Sequence, residues 1–215
     1  MMKKKMVKRP AIKGLYAITP DLSDTPELLR KVRLALQGGA SVLQYRNKSA
    51  DAALKLQQAR SLRQLTREFA TTFIVNDDAK LAAEVDADGV HLGGEDGSVI
   101  ATRALLGDSK LIGVSCYNRA PLALAAVQQG ADYVAFGAFF PSSVKPEAVQ
   151  AELTMLREAR LKSSVPIVAI GGITQQNGAA LIDAGADALA VISALWDAPD
   201  IAASAQRFST LFSRT

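Results

Sequence analysis

Gly185-Ala186-Asp187-Ala188-Leu189-Ala190-Val191-Ile192 is a glycine turn, a small polar lead-in and an apolar run, and it has three partial copies upstream. Gly39-Ala40-Ser41-Val42, Asp86-Ala87-Asp88-Gly89 and Gly130-Ala131-Asp132-Tyr133 open the other copies, and along the chain their Ala residues fall 47, 44 and 55 positions apart. Each interval is the length of two strand–helix units. A (β/α)8 barrel fills its interior in layers drawn from alternate strands, so a period of two units is what its packing produces.

Working outward, the same alternation covers the chain. Short apolar runs at Gly14–Ile18, Ser41–Tyr45, Thr72–Val75, Gly89–Leu92, Leu111–Val114, Tyr133–Phe136, Ile167–Ile170 and Ala188–Ile192 read as strands. Helical periodicity separates them, over 26–37, 51–69, 78–84, 98–106, 119–129, 147–162, 174–184 and 199–213. Pro26, Pro121 and Pro199 stand where a first helical turn tolerates a missing N–H, and Gly38, Gly130 and Gly185 where a left-handed cap is expected. Parallel pairing follows, because each parallel crossover needs a helix-sized connection. An open doubly wound sheet is the alternative, and it usually has fewer strands. The expectation is a single-domain TIM barrel over 14–215.

Composition agrees with one globular core. The chain has 215 residues, 49% of them hydrophobic, and one cysteine, Cys116, which excludes an internal disulfide framework. No apolar run approaches the ~18–20 residues that span a bilayer. The net charge of +4 is concentrated in Lys3, Lys4, Lys5, Lys8, Arg9 and Lys13; without these six the body has 19 basic and 21 acidic residues. Residues 1–13 read as a solvated, flexible tail rather than a signal peptide, since no apolar stretch follows the charges. The expected protein is cytoplasmic and binds neither membrane nor nucleic acid. Self-association stays open.

In a TIM barrel the chemistry gathers at the C-terminal strand ends. After the second strand, Gln44, Arg46 and Lys48 alternate onto one face, and with no acid interleaved this cluster calls for an anion. After the third and fourth come Asn76-Asp77-Asp78 and His91-Leu92-Gly93-Gly94-Glu95-Asp96. Asp77 and Asp96, on neighbouring loops, suit Mg²⁺ completed by water and phosphate, although either acid could simply cap a helix. Ser115 follows the fifth strand and could donate to phosphate or cap a helix; Cys116 reads as packing, and His91, the single imidazole, as a hydrogen-bonded structural residue. The sixth loop carries Ser142-Ser143-Val144-Lys145 between prolines, a second anion-binding candidate. Gly171-Gly172 and Ile192-Ser193 follow the seventh and eighth strands, the usual phosphate-binding loops of such barrels. The rim thus offers a cationic, metal-assisted site for a diphosphate and a neutral one for a monophosphate. No obvious general base stands between them. That favours joining two phosphorylated molecules with diphosphate leaving.

These motifs, in this order and spacing from about residue 12 to 196, resemble the thiamine-phosphate synthase family. The resemblance implies a transferase that couples a pyrimidine diphosphate to a thiazole phosphate by a dissociative, Mg²⁺-assisted reaction. It implies that Gln44, Arg46, Lys48, Asn76, Ser115 and Lys145 hold the pyrimidine diphosphate, with Lys145, Ser115 and Arg46 the catalytic groups. Asp77 and Asp96 would be the metal ligands, and Ser142, Ser143, Val144, Gly172, Ile192 and Ser193 would meet the thiazole phosphate. Three departures stand out: Ser142-Ser143-Val144-Lys145 where the family has Thr-x-Thr-Lys, Gly94 where glutamine is common, and Cys116-Tyr117-Asn118 where a small residue and histidine are common. The competing readings are a thiazole tautomerase of the same family, which needs an acid–base group at the mouth, and a sugar-phosphate epimerase barrel, which needs metal-binding histidines. From another class comes a nucleic-acid-binding accessory protein using the basic tail.

Overall fold

The computed structural model describes residues 10–93, 97–141 and 150–214. Eight strands, β1 Gly14–Ile18, β2 Val42–Tyr45, β3 Thr72–Asn76, β4 Gly89–Leu92, β5 Leu111–Ser115, β6 Tyr133–Phe136, β7 Ile167–Ile170 and β8 Ala188–Val191, pair in parallel with their neighbours. Closure comes from β8 pairing with β1, Ala188 opposite Gly14 and Ala190 opposite Tyr16. The barrel expected from the alternation is the fold observed.

Around it lie α1 Thr25–Gln37, α2 Ala52–Glu68, α3 Ala79–Glu84, α4 Val99–Leu106, α5 Ala120–Gln128, α6 Leu153–Lys162, α7 Gly178–Asp183, α8 Ser193–Trp196 and α9 Ile201–Leu211. Local chemistry sets their starts. Asp24, Asp51, Asp78, Ser98 and Asp200 cap α1, α2, α3, α4 and α9 by accepting a backbone N–H with the side chain. Pro26 and Pro121 sit in first turns as expected, but Pro199 precedes the Asp200 cap. The eighth unit holds two helices where one was expected, because Ile192 ends the strand and starts the four-residue α8.

Gly130 and Gly185 are left-handed, with φ of +99° and +106°, whereas Gly38 is not: its φ is −77° and the left-handed turn falls on Gly39. Gly38 serves space instead. A Cβ there would stand 2.4 Å from the Ala202 carbonyl oxygen and 2.5 Å from the Ala205 Cβ, so α1 and α9 pack through it.

Two apolar layers hold the barrel. The outer one, between strands and helices, buries Leu15, Leu28, Leu43, Leu62, Phe73 and Phe208 among others, each contributing about 1.5–3 kcal/mol relative to exposure. The inner one fills the barrel with Tyr16, Val42, Ile74, Leu111, Tyr133, Val168 and Ala188. Ile12, within the segment expected to be a tail, is buried in this inner layer; residues 1–9 lie outside the described ones.

The four-fold repeat has a cause beyond interior layering. Asp88, Asp132 and Asp187 each accept a backbone N–H from the preceding strand, that of Phe73, Ile112 and Ile167 respectively. Each also pairs with an arginine two helices' reach away: Arg63 of α2, Arg103 of α4 and Arg160 of α6. At the first copy Ser41 takes the place of the acid and donates to the Lys13 and Leu15 carbonyls. These clamps tie odd strand, even strand and helix at the end of the barrel remote from the site.

Among the described residues no helix is long and apolar enough to cross a membrane.

Candidate active site

At the C-terminal end of the strands a cavity of about 400 Å³ opens, and each of the eight strands contributes at least one residue to it. The division is not random. Gln44, Asn76, His91 and Ser115, on the consecutive strands β2 to β5, make one half polar. Ala135, Ile170, Ala190 and Ile18, on β6 to β8 and β1, make the other half apolar.

The polar half is wired together. Gln44 Nε2 donates to Asn76 Oδ1 at 2.7 Å, and Asn76 Nδ2 donates to Asp77 Oδ2 at 2.6 Å. The Gly93 amide donates to the other Asp77 carboxylate oxygen at 3.2 Å. Asp77 itself has a φ of +61° and its amide donates to the His91 carbonyl. Asp78 is the acid used as a helix cap, on α3, which separates the roles that two adjacent carboxylates left open.

Arg46 and Lys48 lie one step outward. Arg46 lines both the cavity and an adjoining groove of about 580 Å³, whereas Lys48 and Asp77 line only the groove. No acid is interleaved in this cluster, as the sequence shows, but the fold brings one to it from another loop. Asp21, in the loop after β1, stands 3.3 Å from the Arg46 guanidinium and accepts the Lys48 amide at 3.0 Å. Thr19 in the same loop exchanges two 2.8 Å hydrogen bonds with the Arg46 backbone. The sequence reading assigned no role to this loop, because Thr19-Pro20-Asp21 forms no motif.

Ser115 closes β5 and is not a helix cap, since α5 starts five residues later at Arg119–Ala120 without a side-chain cap. Its Oγ lies 2.9 Å from His91 Nε2, and His91 Nδ1 lies 3.1 Å from the Tyr133 hydroxyl. His91 is thus a hydrogen-bonded structural residue, as expected, but it touches Ser115, which the sequence did not reveal. Both ring nitrogens face hydroxyls and among the described residues no carboxylate bonds the imidazole, so this is not the arrangement of a triad. Burial lowers the His91 pKa to about 4 and leaves the ring neutral at neutral pH. Cys116 is buried and its thiol is pushed up to about 12, consistent with a packing role.

Gly172, Ile192 and Ser193 line the cavity on its apolar side. Gly171 and Gly172, with φ of +99° and +61°, do not open a helix as expected; α7 starts at Gly178, and the Asn177 side chain bridges back to the Thr174 amide and the Gly172 carbonyl. The pair is required for close approach. A Cβ on Gly172 would stand 2.4 Å from the Pro141 carbonyl oxygen, and one on Gly171 2.4 Å from the Ala138 Cβ. Pro141, which also lines the cavity, leads into Ser142, Ser143, Val144 and Lys145, and these four, like Gly94 and Asp96, lie outside the described residues. Among the described residues no three His, Cys, Asp or Glu side chains come together as a metal cluster.

This geometry can be set beside known proteins. Residues 15–195 match the family described as Thiamine monophosphate synthase. The chain is 55% identical over 203 residues to a thiamine-phosphate synthase of Methylobacillus flagellatus, covering 94% of this chain and 97% of that one. It is 53% identical over 201 residues to a thiamine-phosphate synthase of Aromatoleum aromaticum, covering 94% and 97%. A solved thiamine phosphate pyrophosphorylase of Pyrococcus furiosus superposes with a TM-score of 0.84 at 35% identity, covering 94% of this chain and 96% of that one. The match runs through the strand-end residues that build the cavity as well as through the scaffold, and the chain therefore belongs to the thiamine monophosphate synthase family.

Proposed function

We propose that the protein is a thiamine-phosphate synthase, a transferase that joins 4-amino-2-methyl-5-(diphosphooxymethyl)pyrimidine to 4-methyl-5-(2-phosphoethyl)thiazole, or its carboxylated form, giving thiamine monophosphate and diphosphate. The observation that carries this reading is the split cavity, polar on β2–β5 and apolar on β6–β8 and β1. A diphosphate and a polar ring edge suit the first half and an apolar heterocycle the second. The bond between the pyrimidine methylene and the diphosphate oxygen breaks with its electron pair on the oxygen. The thiazole nitrogen lone pair then forms the new C–N bond.

In this reading Gln44 and Asn76 orient the pyrimidine, and Arg46, Lys48, Ser115 and Lys145 meet the growing charge on the diphosphate. Donors aimed at charge that develops only in the transition state raise the rate rather than ground-state affinity. Ser142, Ser143, Val144, Gly172, Ile192 and Ser193 take the thiazole phosphate. His91 is buried, neutral and turned toward two hydroxyls, which suits a reaction that needs no proton shuttle and argues against the tautomerase alternative.

Asp77 fits a hard divalent cation: it is a carboxylate at the rim, oriented by an amide N–H on each oxygen, beside the cationic groove. Mg²⁺ commonly takes one or two carboxylates and completes its shell with water and substrate phosphate. Asp77 with Asp96 would hold it, and it would supply charge neutralisation to the leaving diphosphate.

The test is product analysis after mixing the protein, Mg²⁺ and both phosphorylated heterocycles. Thiamine monophosphate and diphosphate should form in equal amounts and only when both substrates are present. Absence of coupled product, or a shifted double bond in the thiazole alone, would overturn the reading.

A further inference from the structure

The barrel interior contains a chain of polar groups that runs from two tyrosines below the cavity to His91 and Ser115 in its lining. Tyr16 of β1, Tyr133 of β6 and His91 of β4 are all buried. The two hydroxyls are 2.9 Å apart, Tyr133 lies 3.1 Å from His91 Nδ1, and His91 Nε2 lies 2.9 Å from Ser115 Oγ. Space for this is built in: a Cβ on Gly113 of β5 would stand 2.0 Å from Tyr133 Cζ. Burying three polar side chains in the centre of a barrel is unfavourable unless their hydrogen bonds are satisfied and used.

We propose that Tyr16, Tyr133 and His91 are positioning residues, a one-way hydrogen-bond relay that holds the Ser115 hydroxyl as a donor into the cavity. This rests on the reading that the polar half of the cavity receives an anionic leaving group. The direction follows from counting protons. In the forward order Tyr16 donates to Tyr133, Tyr133 donates to His91 Nδ1, His91 Nε2–H donates to Ser115 Oγ, and the Ser115 proton is left facing the cavity. In the reverse order Ser115 donates to Nε2, Nδ1–H to Tyr133 and Tyr133 to Tyr16. The Tyr16 proton is then buried with no acceptor among the described residues. If both neighbours donate to Tyr133, its own proton is stranded in the same way. Only the forward order places the spare proton where a ligand or water can take it, and a buried donor without a partner is the costlier defect.

The chain has a single histidine, so nitrogen NMR of the ¹⁵N-labelled, untagged, ligand-free protein reads His91 alone. The forward relay requires the Nε2–H tautomer with Nδ1 unprotonated, and the Nδ1–H tautomer overturns it. A kinetic cycle supplies the second readout, because a residue acting through Ser115 has nothing to act on once the hydroxyl is removed. Tyr133→Phe should lower kcat severalfold with the KM for the pyrimidine diphosphate nearly unchanged. In a Ser115→Ala background the same change should lower it no further. Additive losses would mean that Tyr133 matters only for packing and would overturn the relay. If Tyr133→Phe does not fold, the wild-type tautomer still decides. The tautomer is read without substrate, so failure of the synthase reading leaves that measurement intact, and an Nδ1–H result leaves the product assay unaffected.

Discussion

Asp132 accepts the Ile112 amide at 2.8 Å while pairing with Arg103 from α4, so one carboxylate joins β5, β6 and the helix between β4 and β5. Breaking such a pair on one side leaves a largely buried guanidinium with carbonyl acceptors only, those of Gly107, Lys110 and Gly130, a loss of at most about 3–5 kcal/mol. Asp132→Ala should therefore lower the unfolding free energy by up to that amount. The loss should scale with burial across the three clamps, since exposed pairs contribute little. The acid side chains are 9% exposed at Asp132, 20% at Asp88 and 39% at Asp187. Urea unfolding of the three alanine variants should rank them in that order, and equal losses would show that the backbone bond rather than the ion pair carries the effect.

Those clamps also mark what the sequence could and could not convey. The Ala-Asp lead-ins identified the alternate strands, because the acid needs a fixed place before each even strand. Their arginine partners were illegible, since Arg63, Arg103 and Arg160 sit at unremarkable positions on amphipathic helices. The site divides in the same way. Gln44, Asn76 and Ser115 could be placed at the mouth because strand alternation fixes the side of a residue. Asp21, Tyr16 and Tyr133 could not be read as partners, because their contacts cross 25 and 117 positions of sequence and no local pattern encodes them. Helix starts were the weakest: Asn177 postponed α7 by bonding back to the Thr174 amide and the Gly172 carbonyl, and Asp200, by capping the Ala203 amide, set the start of α9 at Ile201.

In the proposed function Asp21 would compete with the diphosphate for Arg46, with which it pairs at 3.3 Å, while it also accepts the Lys48 amide. The two effects separate by substitution. Asp21→Asn keeps an acceptor for the Lys48 amide and removes the competing charge, so the KM for the pyrimidine diphosphate should fall. The pair is partly exposed, 20% at Arg46 and 38% at Asp21, so the gain should not exceed about 1 kcal/mol, roughly fivefold. Asp21→Ala loses the acceptor as well and should raise KM. Arg46→Lys should raise it too, because an ammonium cannot replace the planar fork. A rise in KM for Asp21→Asn would show that the pair orients Arg46 rather than restraining it.

His91 makes stability depend on pH with a definite sign. Its folded pKa is lowered to about 4 from an ordinary 6.5, with burial disfavouring the charged ring. The unfolded chain therefore binds more protons between these values, and stability rises with pH there. The contribution is complete above about pH 6.5, falls as the pH drops, and is lost below about pH 4, amounting to roughly 2–4 kcal/mol. Denaturant unfolding at a series of pH values should show this slope, and His91→Asn should flatten it. An equal slope in the variant would assign the effect to the carboxylates instead.

The metal assignment turns on Asp77, and its backbone decides which variant can test it. At φ +61° the residue is in the left-handed region, which Asn and Asp adopt more readily than other side chains. Alanine there adds strain of about 1 kcal/mol or more, so a loss of activity in Asp77→Ala would mix metal binding with a displaced loop. Asparagine accepts the same backbone and can still take the Asn76 amide hydrogen on its oxygen, giving up the bond from Gly93. Asp77→Asn should therefore keep a melting temperature near that of the unchanged protein. It removes a negative hard oxygen from a site that needs one, so half-maximal activity should require more Mg²⁺. The rate at saturating Mg²⁺ should also fall at least about tenfold, equivalent to some 1.4 kcal/mol of transition-state stabilisation. The thiazole phosphate KM should not move, because Asp77 lines the groove beside the cavity and not its apolar half. A variant with unchanged Mg²⁺ dependence and unchanged rate would exclude Asp77 as a metal ligand and make its carboxylate a fastener for Asn76. A change confined to the thiazole constant would instead mean that the two halves of the cavity have been assigned to the wrong substrates.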